Sequence, residues 1–369
     1  MKVKSDEATS DIEHIVSQLA DGIEWRFKQQ QQQQADSDAG ERSIIFDAGD
    51  MFHRFTLAII FLMTYKRDGL INFRTERDKW TDDIARSGHM IDHPLLQLSV
   101  MFPFVRPIID NLIKVHPLGK CRAQIVQFIE EATEINRLSR EPTSKLDASY
   151  KRRLADWIIE GFVERKIKHI EFTGSLVFLL LAGFETTAGT LTCLCWHLAR
   201  APHIQEKLRE AIASDGIEAD YLAWCIQETV RWHPAVPLGT GRILGEDVEV
   251  NGLKLAKGTF VMPSTYSIHH DPDIWPRADE FEPERWRTPN DYHPAAFMGF
   301  GLGPRNCVGG KLAVHEIKLV IRYLLSNFKI LTCPETPDSY EFSSPGLVYT
   351  ILDQPIKVRL VTLDDVKKP

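Results

Sequence analysis

Phe300-Gly301-Leu302-Gly303-Pro304-Arg305-Asn306-Cys307-Val308-Gly309 decides how the rest of the chain is read. One thiol sits in a loop with little other chemistry. Gly301, Gly303 and Gly309 let the backbone take positive φ values and approach a flat object closely. Pro304 stiffens the turn and removes a donor. Arg305 brings a permanent cation two residues before the thiol. Beyond Cys307 the pattern turns helical through Leu312, His315, Glu316, Leu319, Val320, Tyr323 and Leu324. Cys307 therefore precedes a helix N-terminus, where unpaired N–H groups favour a thiolate. Such a sulfur suits one axial position of a haem iron and leaves the opposite face open. Taken alone, a lone cysteine in a glycine-rich turn is better read as a buried structural thiol. The remainder of the chain has to choose.

Working outward, the chain has 369 residues, enough for one large domain or two ordinary ones. Its 43% hydrophobic and 26% charged residues are those of an ordinary globular protein. With a net charge of −7, a broad basic surface for nucleic acid is not expected. The six cysteines form no CxxC pair, which argues against structural zinc and for a reducing compartment. Residues 1–13 are polar, with no apolar signal core. The longest apolar runs, Leu57–Met63 and Leu176–Phe184, fall short of the roughly 18–20 residues that span a bilayer. The expectation is a chain without a transmembrane anchor.

Apolar spacing predicts helices over 11–28 and 47–65, the second capped by Asp47. Gln29–Gln34 and the polar residues to Arg42 read as a linker. A proline-broken apolar stretch over 90–117 reads either as an entry route or membrane-resting segment, or as ordinary packing. A helix follows over about 120–140, then a loop at Ser144–Ser149. The longest helical pattern, 169–200, is nearly all apolar in its middle and predicts a buried helix. Helices at 203–213 and 219–232 follow. After Pro234 the texture changes to short strands turning at Asn251-Gly252 and Lys257-Gly258, a loop over His269–Asn290, and strands from about 328. The fold class is mainly α with a small late β region: one domain over 1–369, mostly helical to 235.

Other stretches carry chemistry beside the cysteine. Ala182-Gly183-Phe184-Glu185-Thr186-Thr187 places a glycine, a carboxylate and hydroxyls inside the apolar helix. Glycine there costs about 1 kcal/mol against alanine, and buried polar groups need partners. Gly183 lets a flat cofactor approach; Thr186 bonding back to its own helix opens a notch for a small ligand and water; Glu185 connects to a proton supply. The plain alternative is a satisfied Glu–Thr pair. Glu228 and Arg231 lie one turn apart on one helix face, and with Arg285 they can form a buried charge network that must be complete to be tolerated. Arg242 has the planar fork that clamps a carboxylate such as a haem propionate. His269-His270-Asp271 sits in a proline-rich loop and reads as structural. Lys311, His315, Lys318 and Arg322 share one helix face. It is either merely solvated or, if Cys307 binds haem, a basic surface for an acidic redox partner.

Together these stretches resemble the cytochrome P450 family: Phe300–Gly309 as its haem-binding loop, Glu228–Arg231 as its ExxR pair, Pro283-Glu284-Arg285-Trp286 as its PERF-type turn, and Ala182–Thr187 as its oxygen-binding segment. Gln97–Pro107 and His269–Trp286 are most similar to the animal microsomal branch containing the liver drug-oxidising enzymes and thromboxane synthase. The resemblance implies Cys307 as the proximal thiolate and Glu185 with Thr186 as the acid–alcohol pair delivering protons. It implies Arg242 and Arg305 on the propionates, Phe300 tuning the sulfur, and Gly301 and Gly309 against the haem. Ala182 and Gly183 would form the oxygen groove, and Lys311, Lys318 and Arg322 the redox-partner face. The implied protein is a haem-thiolate monooxygenase inserting one atom of O2 into an apolar substrate, fed by an NADPH-dependent reductase. Its implied location is the cytosolic face of the endoplasmic reticulum membrane, or the cytoplasm if unanchored. A haem-thiolate isomerase or dehydratase, and a non-catalytic fragment, remain the alternatives. Family members normally carry further residues first, so the chain is similar to the family from its fourth main helix onward, as an N-terminally truncated P450 fold.

Overall fold

A computed structural model describes residues 5–33, 42–65, 68–75, 164–288, 293–339 and 354–363, with 127, 158, 161–162, 342–343 and 351–352 as isolated positions. The segment at 90–117, the loop at 144–149 and, apart from residue 127, the helix expected over 120–140 lie outside them. Packing divides the chain into two units, residues 1–188 with 360–369, and residues 189–359.

In the first unit, α1 (Ser5–Gln33) buries the stripe Ile12, Ile15, Leu19 and Ile23. It is longer than expected because glutamine is a good helix former, so the helix continues through Gln29–Gln33. Strand β1 (Ser43–Asp47) was not expected; its alternation buries Ile44 and Phe46. Asp47 then starts α2 (Ala48–Tyr65), its carboxylate accepting from the Gly49 and Asp50 N–H groups at 2.9 and 3.3 Å. Arg54, only 1% exposed, pairs with Asp50 and donates to the carbonyls of Asn72 and Thr75. The long helix α3 (His169–Arg200) has its predicted bounds. Within the first unit α2 holds its N-terminal part by two buried bonds: Thr56 Oγ1 to the Phe184 carbonyl and Tyr65 Oη to that of Leu176, both 2.8 Å. Among the described residues this is the one helix long and apolar enough to cross a membrane, yet half of its apolar window is buried in the protein, as in a core helix.

In the second unit, Pro202 opens α4 (Pro202–Asp215), and α5 (Asp220–Trp232) follows a short turn. Strands β2 (Arg242–Ile243) and β5 (Phe260–Val261) pair antiparallel and enclose the hairpin of β3 (Val248–Val250) and β4 (Leu253–Leu255). The hairpin turns on Asn251 and Gly252 with φ of 49° and 80°, the left-handed pair that a two-residue turn demands. A five-residue helix, α6 (Thr265–His269), was not expected and ends at His269, where the loop was expected to begin. The cysteine loop leads into α7 (Gly310–Asn327), then β6 (Phe328–Leu331), the pair β7 (Phe342–Ser343) and β8 (Ile351–Leu352), and β9 (Lys357–Thr362). Gln205 of α4 donates to the carbonyls of Leu198 and Ile330 and accepts from the Ile330 N–H. Arg209 donates to the carbonyls of Leu325 and Phe328 where α7 hands over to β6. The helix-rich order with small strands late in the chain is the mainly α class predicted.

Candidate functional site

The cysteine loop closes on itself through its backbone. Gly301 N–H donates to the Met298 carbonyl at 2.9 Å, and Cys307 N–H to that of Phe300 at 2.7 Å. Gly301 and Gly303 both sit at φ 72°, in the left-handed region that favours glycine. The Phe300 ring packs where a side chain at Gly310 would be, 3.1 Å from an added Cβ. The Cys307 thiol is free and exposed. The same loop also exposes large apolar side chains, Val308 at 72% and Leu302 at 45%. An exposed thiol among exposed apolar groups, on a loop kept thin by glycine, fits a flat apolar group ligated through sulfur. The donor set therefore suits haem, which the Cys307 sulfur would hold.

Glu228 and Arg231 project from α5 one turn apart and are both fully buried. Arg231 meets the carboxylate through Nε at 3.0 Å and Nη2 at 2.9 Å. Arg285 Nε (3.0 Å), Trp286 Nε1 (3.0 Å) and the Glu282 N–H (2.9 Å) complete the shell around Glu228. Arg231 also donates to the carbonyls of His269, Ala278 and Glu280, and Arg285 to those of Pro276, Arg277 and Glu280. Two guanidinium groups thus gather the backbone of 269–285 around one carboxylate. Trp275, Ala278, Trp286 and Ala296 pack alongside. Trp286 and the Glu282 N–H are the members that sequence reading missed. The tryptophan's place after Pro283-Glu284-Arg285 was the available signal, but an indole gives no indication of its acceptor.

The remaining candidates are placed differently. Arg242 is exposed, and its Nη1 donates to the carbonyls of Thr240 and Gly241 at 3.1 and 2.9 Å. Arg305 is exposed. Lys311 is exposed, whereas Lys318 is only 15% exposed and lies 3.5 Å from Glu218 in the turn packed against α7. Arg322 is half-buried. The stripe is therefore not a row of equivalent surface cations.

Ala182–Thr187 belongs to the first unit. Thr186 Oγ1 donates to the Ala182 carbonyl at 2.8 Å, the back-bond that competes with the helix ladder. Glu185 is half-buried. The close approach that Gly183 permits is made by Ile60 of α2, whose Cδ1 lies 2.5 Å from an added Cβ. In this structure an aliphatic side chain, and not a flat group, uses that space.

One acid in the second unit stands apart. Glu316 of α7 is 2% exposed, its Oε2 has no hydrogen-bond partner, and burial pushes its carboxyl well above the usual range. His197 and His233 meet through their Nε2 atoms at 3.2 Å. Burial, with the nearby charge of Arg231 and Arg200, lowers His197 to about 3.

Comparison with known proteins places these features in a family. The family model described as Cytochrome P450 matches residues 2–358. The chain is similar to cytochrome P450 3A41 of Mus musculus, 31% identical over 298 residues, and to cytochrome P450 3A6 of Oryctolagus cuniculus, 31% identical over 290. Each match covers 74% of this chain and 56% of the relative. Cytochrome P450 3A16 of Mus musculus is 33% identical over 293 residues, covering 73% and 56%. The chain thus spans about half the length of the curated relatives it matches. With the family model covering nearly its whole length, the chain belongs to the cytochrome P450 family.

Proposed function

We propose that this chain carries the haem-binding half of a haem-thiolate monooxygenase, which inserts one oxygen atom from O2 into an apolar organic substrate. The observation behind this reading is the exposed thiol of Cys307 on a self-bonded glycine loop at the head of α7. Haem, when bound, supplies the oxygen-activating chemistry. Cys307 would hold it through sulfur, Phe300, whose ring packs at Gly310, would set the sulfur's surroundings, and Gly301 and Gly309 would let the backbone come close to it. Arg242, which would exchange its bonds to the Thr240 and Gly241 carbonyls, and Arg305 are exposed guanidinium groups suited to carboxylates such as haem propionates. Glu185 holds and passes a proton, and the Thr186 hydroxyl, back-bonded to Ala182, orients it. Glu228, Arg231 and Arg285 fix the frame behind the loop.

Electrons come from an NADPH-dependent reductase, met through Lys311 and Arg322, with Lys318 contributing beside its ion pair to Glu218. The location is the cytosolic face of the endoplasmic reticulum membrane, a proposal resting on the family resemblance. The test is product formation from apolar substrates with NADPH, reductase and O2. Thr186→Ala is expected to keep electron consumption while product falls by roughly tenfold or more, the scale of losing a proton-transfer group. Product from an organic peroxide with no reductase would instead identify an isomerase or dehydratase, and unchanged coupling in Thr186→Ala would overturn the proton-delivery role.

A further inference from the structure

His269 ends α6 and is fully buried. Its two ring nitrogens face two backbone groups from different parts of the second unit. Nε2 lies 2.9 Å from the Met298 N–H, and Nδ1 lies 3.1 Å from the Arg231 carbonyl. An amide N–H can only donate, so Nε2 must be the acceptor. A carbonyl can only accept, so Nδ1 must carry the proton. Both bonds therefore exist together only in the neutral Nδ1–H tautomer.

What the ring joins gives this tautomer a consequence. The Arg231 carbonyl is among the last of α5, which have no partner within the helix. Met298 stands two residues before Phe300. Its carbonyl accepts from Gly301, and Phe300 in turn accepts from Cys307. A second contact beside the first is made without the histidine: Gly299 lies so close to α5 that an added Cβ would be 2.1 Å from Cγ1 of Val230. Phe297 stacks on the imidazole with ring centroids 5.4 Å apart and planes 9° from parallel. The segment entering the cysteine loop is thus held against the end of the ExxR helix by packing at Gly299 and by the imidazole at Met298.

We propose that His269 is a positioning residue for Cys307, a neutral imidazole that fastens the entry of the cysteine loop to the C-terminal end of α5. The functional part of this proposal rests on the reading of Cys307 as a haem ligand; the clasp itself does not. Adding a proton to Nε2 turns the acceptor into a donor facing the Met298 N–H and releases the loop. The charged and titratable groups facing the ring are Arg231 on α5, whose guanidinium is held by Glu228, and His270, the residue that follows α6. Burial and the Arg231 charge lower His269 from 6.5 to about 4. The depressed value means that the clasp is at full strength above pH 6.5 and weakens as pH falls toward 4.

The test is amide hydrogen exchange on the full chain, corrected for the pH dependence of the chemical step. Its readout is the segment 297–307, with the middle of α7 as internal reference. His269→Ala is expected to speed exchange at Met298 and Cys307 by about tenfold or more, because two buried backbone groups lose their partners, while α7 is unchanged. His269→Gln can donate to the carbonyl and accept from the amide, so protection should stay within about threefold of the parent. In the parent, opening of this segment should rise by up to about tenfold per pH unit between pH 6.5 and 4, and His269→Gln should abolish that rise. Equal local protection in the parent and His269→Ala, or a pH step that survives in His269→Gln, would overturn the clasp. If His269→Ala does not fold, the pH comparison between parent and His269→Gln decides alone. With haemin added, the carbon monoxide spectrum of the reduced parent is read in parallel. Loss of protection in His269→Ala together with no thiolate-type spectrum in the parent would remove the ligand reading and leave the clasp standing.

Discussion

Glu228 shows most directly how single residues hold this protein together. A buried carboxylate is tolerable only with its lone pairs occupied, and here Arg231, Arg285, Trp286 and the Glu282 amide occupy them. Removing one partner leaves a buried charge. Arg231→Met is expected to lower unfolding free energy by about 3–5 kcal/mol, read from urea titration; a change under about 1 kcal/mol would mean the network is not holding the fold. Arg231→Lys should not restore it, because an ammonium lacks the planar fork.

Glu316 is the opposite case, an acid with an unpartnered oxygen. Its raised carboxyl means that the folded state keeps its proton, so its contribution is fully present below 4.5 and is lost as pH rises through the folded value. Glu316→Gln should therefore flatten the decline in stability between pH 6.5 and pH 8, above the window in which the buried histidines titrate, measured by urea unfolding at both. An unchanged slope would show that Glu316 is not the group responsible. Such residue-scale facts were unevenly legible. The i,i+3 spacing points to Glu228 with Arg231, whereas Cys307 in its glycine-rich turn stands out only beside the other motifs. Nothing in sequence says that Trp286 would aim its indole at Glu228, or that His269, set aside as structural, would bridge α5 to the cysteine loop. Those pairings are made by tertiary packing.

At the scale of elements, periodicity and punctuation carried most of the information. The bounds of α3 and the turn at Asn251-Gly252 follow from an apolar run and from residues suited to left-handed backbone. Asp47 caps α2 as read, and Asp47→Ala should cost about 1 kcal/mol in unfolding free energy, with no loss contradicting the cap. β1, β4 and α6 were missed for one reason: elements of three to five residues are too short to display a period, and neighbours fix them. The basic face of α7 shows a different limit. Its spacing is regular, but Glu218 pairs with Lys318, a contact that sequence spacing does not encode.

At the scale of the whole molecule, the change in texture after Pro234 lies inside the second unit and does not mark where packing divides the chain. Helix content was legible because long apolar stripes dominate. The division was not, because α3 contributes residues to both units. Acid should be the chain's general weakness. Burial lowers His197 to about 3 and His269 to about 4, and lowers His233 well below 6.5. Groups depressed in this way stabilise the fold fully above 6.5, and that contribution is lost as pH falls toward the folded values. Urea midpoints should accordingly drop between pH 6.5 and 4. A flat profile over that window would show that these imidazoles are not buried neutral.

The central claim is that Cys307 is the sulfur ligand of a haem held by this chain. The measurement is the carbon monoxide difference spectrum of the haem-loaded, reduced chain beside its Cys307→Ala variant. The expected result is the red-shifted band of a thiolate-ligated haem in the parent and its complete loss in the variant. The same band in Cys307→Ala would contradict the assignment.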